Sequence, residues 1–246
     1  VEPPAGDPLA AFTPAWYAEL AAGQRVVALD LKAKDGRAAL EPLLAEAELL
    51  VTASRPSALD RLGLGWAELH ARHPRLCHVA LTGYAPPDHD RPGHDLTYAG
   101  AAGLLSAPDL PRTLLADLAA AERAVSTALA LLLARGRDGT GRHATVALAE
   151  VAAEFAAPLR HGLTTPGGVL GGGSPVYGLY RAKEGWIAIA ALEPRFTQRL
   201  AAELYVPLDR ASLEDAFARR TAAEWEAWAR ERDLPIVAVT ANEPVR

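Results

Sequence analysis

Three short apolar runs, Val26–Leu31, Leu49–Thr52 and Leu76–Leu81, are separated by stretches whose apolar residues recur with helical spacing. Leu40, Leu43, Leu44 and Ala47 fall three and four apart, and a second helical patch from Trp66 to Ala71 stops before Pro74. Strands separated by helices of this length cannot pair as hairpins. The pattern therefore predicts an α/β domain built on a Rossmann-like parallel sheet with crossover helices. Asp35 is placed to cap the first of those helices. Further on, the sequence predicts an Ala/Leu-rich helix from Asp117 to Arg135, closed by Gly136. His143–Leu148 reads as another strand, followed by a helix to about residue 159.

The composition then shifts. Residues 164–174, TTPGGVLGGGS, are rich in glycine and proline and read as a flexible linker. They separate a large domain, residues 1–163, from a small one, residues 175–246. In the small domain Val176–Tyr180 and Trp186–Ala191 alternate as strands around the turn Lys183-Glu184-Gly185, a hairpin. Phe196, Leu200 and Leu204 mark a helix, and Thr221 with Glu224 forms a capping box for another that carries Trp225 and Trp228.

Several partners are excluded by charge and hydropathy. With 25 basic and 30 acidic side chains, a net charge of −5 and no Lys/Arg-rich run, the chain offers no nucleic-acid surface. No apolar run reaches the ~18 residues of a membrane span. Ala124–Ala134 is too short and is bounded by Arg123 and Arg135. No basic segment followed by an apolar core opens the chain, and the single Cys77 reads as a buried thiol, so a cytoplasmic protein is expected. The absence of Met, at position 1 and elsewhere, implies that the sequence begins after the translation start.

The third strand leads through Thr82-Gly83-Tyr84 into a Pro-rich loop and then Gly93-His94-Asp95-Leu96-Thr97-Tyr98. Loops leaving the carboxyl ends of parallel strands are where such sheets bind ligands. Asp117 follows His94 by 117 − 94 = 23 positions, at the start of a helix, and Glu193 precedes Pro194 in the small domain. Taken singly, His94 is a loop histidine, Asp117 a helix cap and Glu193 a helix-start residue. Gly171-Gly172-Gly173-Ser174 lacks the Lys-Ser/Thr of a phosphate-binding loop, and Gly63-x-Gly65 lacks a third glycine. His89, Asp90, His94 and Asp95 are acceptable metal ligands by type, but no second cluster completes a site, so no metal is predicted.

Arg55-Pro56-Ser57-Ala58-Leu59-Asp60-Arg61-Leu62-Gly63-Leu64-Gly65, Pro74-Arg75-Leu76 and Leu81-Thr82-Gly83-Tyr84 together resemble the class III CoA-transferase family. The likeness extends through Val26–Gly36, the Gly93-His94-Asp95 loop and Arg135–Gly141. Within the family the chain is most similar to the α-methylacyl-CoA racemase branch, on Gly93-His94-Asp95-Leu96-Thr97-Tyr98, Ala116-Asp117 and Ala191-Leu192-Glu193-Pro194-Arg195-Phe196. The resemblance implies an acyl-CoA substrate, no metal or redox cofactor, and an interlocked homodimer. It implies His94 and Asp117 as acid–base residues, Glu193 as the partner of the His94 imidazole, and Arg55, Asp95 and Tyr98 at the CoA ester. Inversion at the α-carbon needs two proton-carrying groups on opposite faces of a planar enolate. Backbone N–H groups at the start of the Asp117 helix are expected to meet the thioester oxygen.

Val1–Pro8 resembles text that follows the family's first strand–helix–strand unit, so the large domain is expected to lack that unit. Ser57 stands where the family has glycine, and Ala119 and Ala120 stand where it has glycines after the catalytic Asp. Two other functions remain open. One is CoA transfer between carboxylic acids through an acyl anhydride on Asp117, and the other is a non-catalytic homologue that binds CoA esters.

Overall fold

The structure, a computed structural model, describes residues 1–240 and gathers into two compact units that divide after Phe155. The first unit runs α1 (Pro8–Phe12), α2 (Pro14–Ala21), α3 (Lys34–Glu46), β1 (Leu49–Thr52), α4 (Pro56–Arg61), α5 (Trp66–Arg72), β2 (Cys77–Thr82), α6 (Asp95–Ala101), α7 (Leu115–Asp138), β3 (His143–Ala147) and α8 (Leu148–Phe155). The strands form a parallel sheet in the order β1-β2-β3, with Leu50 beside His78 and Ala80 beside Thr145. Parallel neighbours need long crossovers, and helices supply both of them.

Alternation along β2 divides the core. Val79 packs against Ala120, Ala124 and Ala128 of α7, a stripe of small residues spaced by four. Leu40, Leu44, Leu59, Leu64 and Leu69 from α3, α4, α5 and their connections form a second cluster, to which Leu50 adds. Leu69 is fully buried, which stabilises the fold by roughly 2 kcal/mol relative to an exposed leucine. Beside this cluster the Trp66 ring stacks on His143 at 5.4 Å, and His143 lies 4.9 Å from His78. These rings line a cavity of about 230 Å³, and His78 Nε2 is hydrogen-bonded to the Thr52 hydroxyl at 2.9 Å.

Three local expectations need correction. Val26–Leu31 is not a strand: only Ala28 pairs, with Glu2, because no longer segment lies beside it to complete a ladder. Asp35 does not cap α3. It sits inside the first turn behind Ala33, where its charge meets the positive end of the helix. α7 runs past Gly136 to Asp138, and Gly139 at φ 77° is the left-handed residue that ends it.

The second unit holds α9 (Ala157–Arg160), β4 (Tyr177–Arg181), β5 (Trp186–Ala190), α10 (Pro194–Leu204), α11 (Arg210–Phe217), α12 (Ala222–Glu231) and β6 (Ile236–Ala238). β4 and β5 form the expected antiparallel hairpin, and β6 adds to β5 as a third antiparallel strand. Tyr180, Ile187, Leu200, Phe217, Trp225 and Trp228 make its core, and Trp225 Nε1 donates to the Phe217 carbonyl at 2.8 Å. Residues 164–174 coil tightly on themselves, with Leu170 N–H donating to Leu163 O and Gly173 N–H to Gly168 O, both at 2.9 Å. A Cβ at Gly168 or Gly171 would collide with the carbonyls of Gly162 and Thr165, so glycine is required for this close approach.

Candidate active site

β2 ends at Thr82, and Gly83 turns the chain into the loop that delivers His94. α7 carries Asp117 in its first turn. His94 and Asp117 line one cleft of about 410 Å³ with Gly83, Gly93, Tyr98 and Ala120. Tyr98 is buried, and its ring fills the space that a Cβ at Gly83 or Gly93 would occupy, so both glycines are needed for the wall to close. The Tyr98 ring meets Tyr84 edge-on at 5.3 Å, and the Arg91 guanidinium lies 4.6 Å above Tyr84. Of the two alanines after Asp117, Ala120 lines the cleft, whereas Ala119 packs against the core.

Burial, and then the nearby Asp95 carboxylate, push the Asp117 carboxyl above its ordinary value, against the opposing influence of His94. A carboxyl raised in this way is a stronger base than an ordinary carboxylate. Burial, with Tyr84 and Asp117 adding to it, raises the Tyr98 hydroxyl as well, so the phenol stays protonated.

Asp95, expected at the substrate, faces α7 instead. It is only 5% exposed, and its Oδ1 accepts the N–H groups of Ala116 at 2.7 Å and Asp117 at 3.0 Å. Those two N–H groups are therefore engaged and not free for a thioester oxygen, contrary to the expectation from the sequence. Leu114 occupies the N-cap position and has no side chain able to serve it, so the cap comes from 21 and 22 residues away. A leucine at the cap of a long helix is the sequence signal that such a remote acceptor is needed.

Arg55 is exposed at the start of α4 and lines an adjoining cleft of about 220 Å³ with Arg91; Gly83, Gly93, His94 and Tyr98 border both spaces. No sequence motif marks Arg91, yet two guanidinium groups beside the acid–base pair suit an anionic ligand. The four residues weighed as metal ligands have separate engagements. Asp90 accepts the Ser57 N–H at 3.2 Å, His89 lies 3.9 Å from Asp90, Asp95 holds α7, and His94 lines the cleft. Glu193 belongs to the second unit, at the N-cap of α10, where its backbone carbonyl accepts from Phe196 and Thr197. Its carboxylate makes no hydrogen bond or ion pair among the described residues, so helix capping does not account for it.

Among the described residues, no helix is long and apolar enough to cross a membrane. The chain is 30% identical over 240 residues to human α-methylacyl-CoA racemase, covering 84% of this chain and 62% of the human protein. It thus spans about three-fifths of the length of that curated relative. A cinnamoyl-CoA:phenyllactate CoA-transferase of Clostridium sporogenes is 35% identical over 119 residues, 43% of this chain and 29% of that protein. The crystal structure of a hypothetical protein from Mycobacterium tuberculosis superposes with a TM-score of 0.84 at 25% identity, covering 99% of this chain and 78% of that one. The entire sequence, residues 1–246, matches the CoA-transferase family III pattern, and the chain belongs to that family.

Proposed function

We propose that the protein inverts the α-carbon of a 2-methylacyl-CoA thioester by moving a proton off one face and onto the other. The observation that carries this reading is that His94 and Asp117 share one cleft in which the Asp117 carboxyl is raised. A proton α to a thioester is weakly acidic, so the enzyme must place a base against it and stabilise the enolate that forms. One residue removes the proton, the thioester carbonyl takes up the electron pair, and the other residue protonates the opposite face. The two then exchange roles for the reverse reaction. Arg55, with Arg91, receives the anionic part of CoA, and Tyr98 walls the acyl end. Glu193, whose carboxylate its own helix does not use, is the third residue of the acid–base set. The chemistry needs no metal or redox cofactor.

CoA transfer is the second reading, supported by the likeness to a CoA-transferase. There Asp117 would attack the thioester carbonyl as a nucleophile, giving an acyl anhydride and free CoA, and His94 would have no role. We also place the protein in the cytoplasm as a homodimer. Leu118, Val125, Leu129 and Leu133 leave an exposed apolar face on α7, which supports burial against a further surface.

The test is incubation of the intact protein with a 2-methylacyl-CoA in deuterated water without an acceptor acid. Deuterium at the α-carbon is expected. Movement of CoA to an added carboxylate, with the α-carbon unlabelled, would establish the transferase reading. Neither reaction would leave a CoA-ester-binding homologue.

A further inference from the structure

His94 and Asp117 stand on separate segments, the entry to α6 and the entry to α7, and the connection between those helices is a loop with few internal bonds. Their relative placement needs a joint. On the His94 side, Thr97 Oγ1 accepts the His94 N–H at 3.0 Å and donates to the His94 carbonyl at 2.8 Å, which fixes the backbone that carries the imidazole. On the Asp117 side, Leu114 has no side-chain group to cap the helix.

We propose that Asp95 is the positioning residue of this site: its buried carboxylate clamps the Ala116 and Asp117 N–H groups to the residue after His94, and thereby sets where Asp117 stands relative to the imidazole. Asp95 is the one acid buried among the described residues. Burying a carboxylate is costly unless hydrogen bonds and a positive field compensate, and two N–H groups at the start of a 24-residue helix supply both. The cost is retained at the one place where a single side chain spans both catalytic segments. Asp95 touches neither substrate nor reacting atom; it acts through Asp117.

A negative charge behind Asp117 has a second consequence, in that it supports the proton affinity of the carboxyl it positions. The groups facing Asp117 are Asp95 and Tyr98 from α6 and His94 from the preceding loop. The inference rests on the acid–base reading of the cleft, and its test has a readout that does not need turnover. In Asp95→Asn the amide oxygen still accepts from the helix start while the charge is gone. The Asp117 carboxyl, followed by carbon NMR in the intact protein, should titrate at lower pH than in the unmodified protein. The acid limb of kcat should move the same way. Asp95→Ala leaves both N–H groups without a partner, and kcat should fall roughly 10²-fold with KM little changed, as for a misplaced catalytic group. Should Asp95→Ala fail to fold, Asp95→Asn decides alone. An Asp117 titration unmoved in Asp95→Asn, or an unchanged kcat in a folded Asp95→Ala, overturns the proposal. An unmodified protein without α-proton exchange would instead defeat the functional reading, while the Asp117 titration would still decide the role of Asp95.

Discussion

Acid should open the first unit through His78. This ring is 2% exposed on β2, the strand that leads into the cleft at Gly83, and its Nδ1 is buried with no hydrogen-bond partner among the described residues. Burial, and secondarily the neighbouring His143, lower its pKa from 6.5 to about 4. As pH falls below 6.5 the unfolded chain takes up a proton on this ring that the folded chain refuses, so stability declines until the folded ring also titrates near pH 4. Each pH unit in that window costs about 1.4 kcal/mol, and the whole window about 3 kcal/mol. His78→Gln keeps a polar partner for Thr52 and removes the titration. Hydrogen exchange of the β2 amides, corrected for intrinsic rates, reports opening of this unit alone. Between neutral pH and pH about 4, their protection in the parent should fall by roughly 10²-fold more than in the variant. Equal acid loss in both would refute the account of His78 as a buried neutral base.

Asp117→Asn should stabilise the folded protein at neutral pH. A raised folded-state pKa means that stability is complete in acid and is lost as pH rises through it, so the gain should vanish in acid, as read by thermal unfolding at two pH values. Gly83→Ala should displace Tyr98 from the cleft wall at a cost of about 1–3 kcal/mol. It should also raise KM for the CoA ester, and an unchanged melting temperature and KM would contradict that packing. Glu193→Gln should lower turnover on the order of 10²-fold or more with substrate affinity kept, whereas unaltered turnover would reduce Glu193 to a residue that only starts α10.

β1 and β2, the α7 helix, the hairpin and the capping box at Thr221 were legible because each is dictated locally, by apolar period or by a short polar motif. Val26–Leu31 misled because an apolar run becomes a strand only where a partner lies alongside, and here the partner is a single residue. β6, three residues long, is defined by its bonds to β5 rather than by any pattern of its own. His94 and Asp117 came forward through family likeness. Periodicity and spacing alone left one as a loop histidine and the other as a cap. The likeness put Asp95 at the CoA ester instead of at the start of α7, since a cap reaching across 21 residues is visible only once α6 and α7 are packed.

The most direct test of the two-face mechanism is Asp117→Asn, assayed in deuterated water with each enantiomer of a 2-methylacyl-CoA in turn. If His94 and Asp117 serve opposite faces, racemisation should fall on the order of 10²–10⁴-fold, while solvent exchange survives from the one enantiomer whose α-proton faces His94. Retained racemisation, or exchange lost equally from both enantiomers, would contradict it.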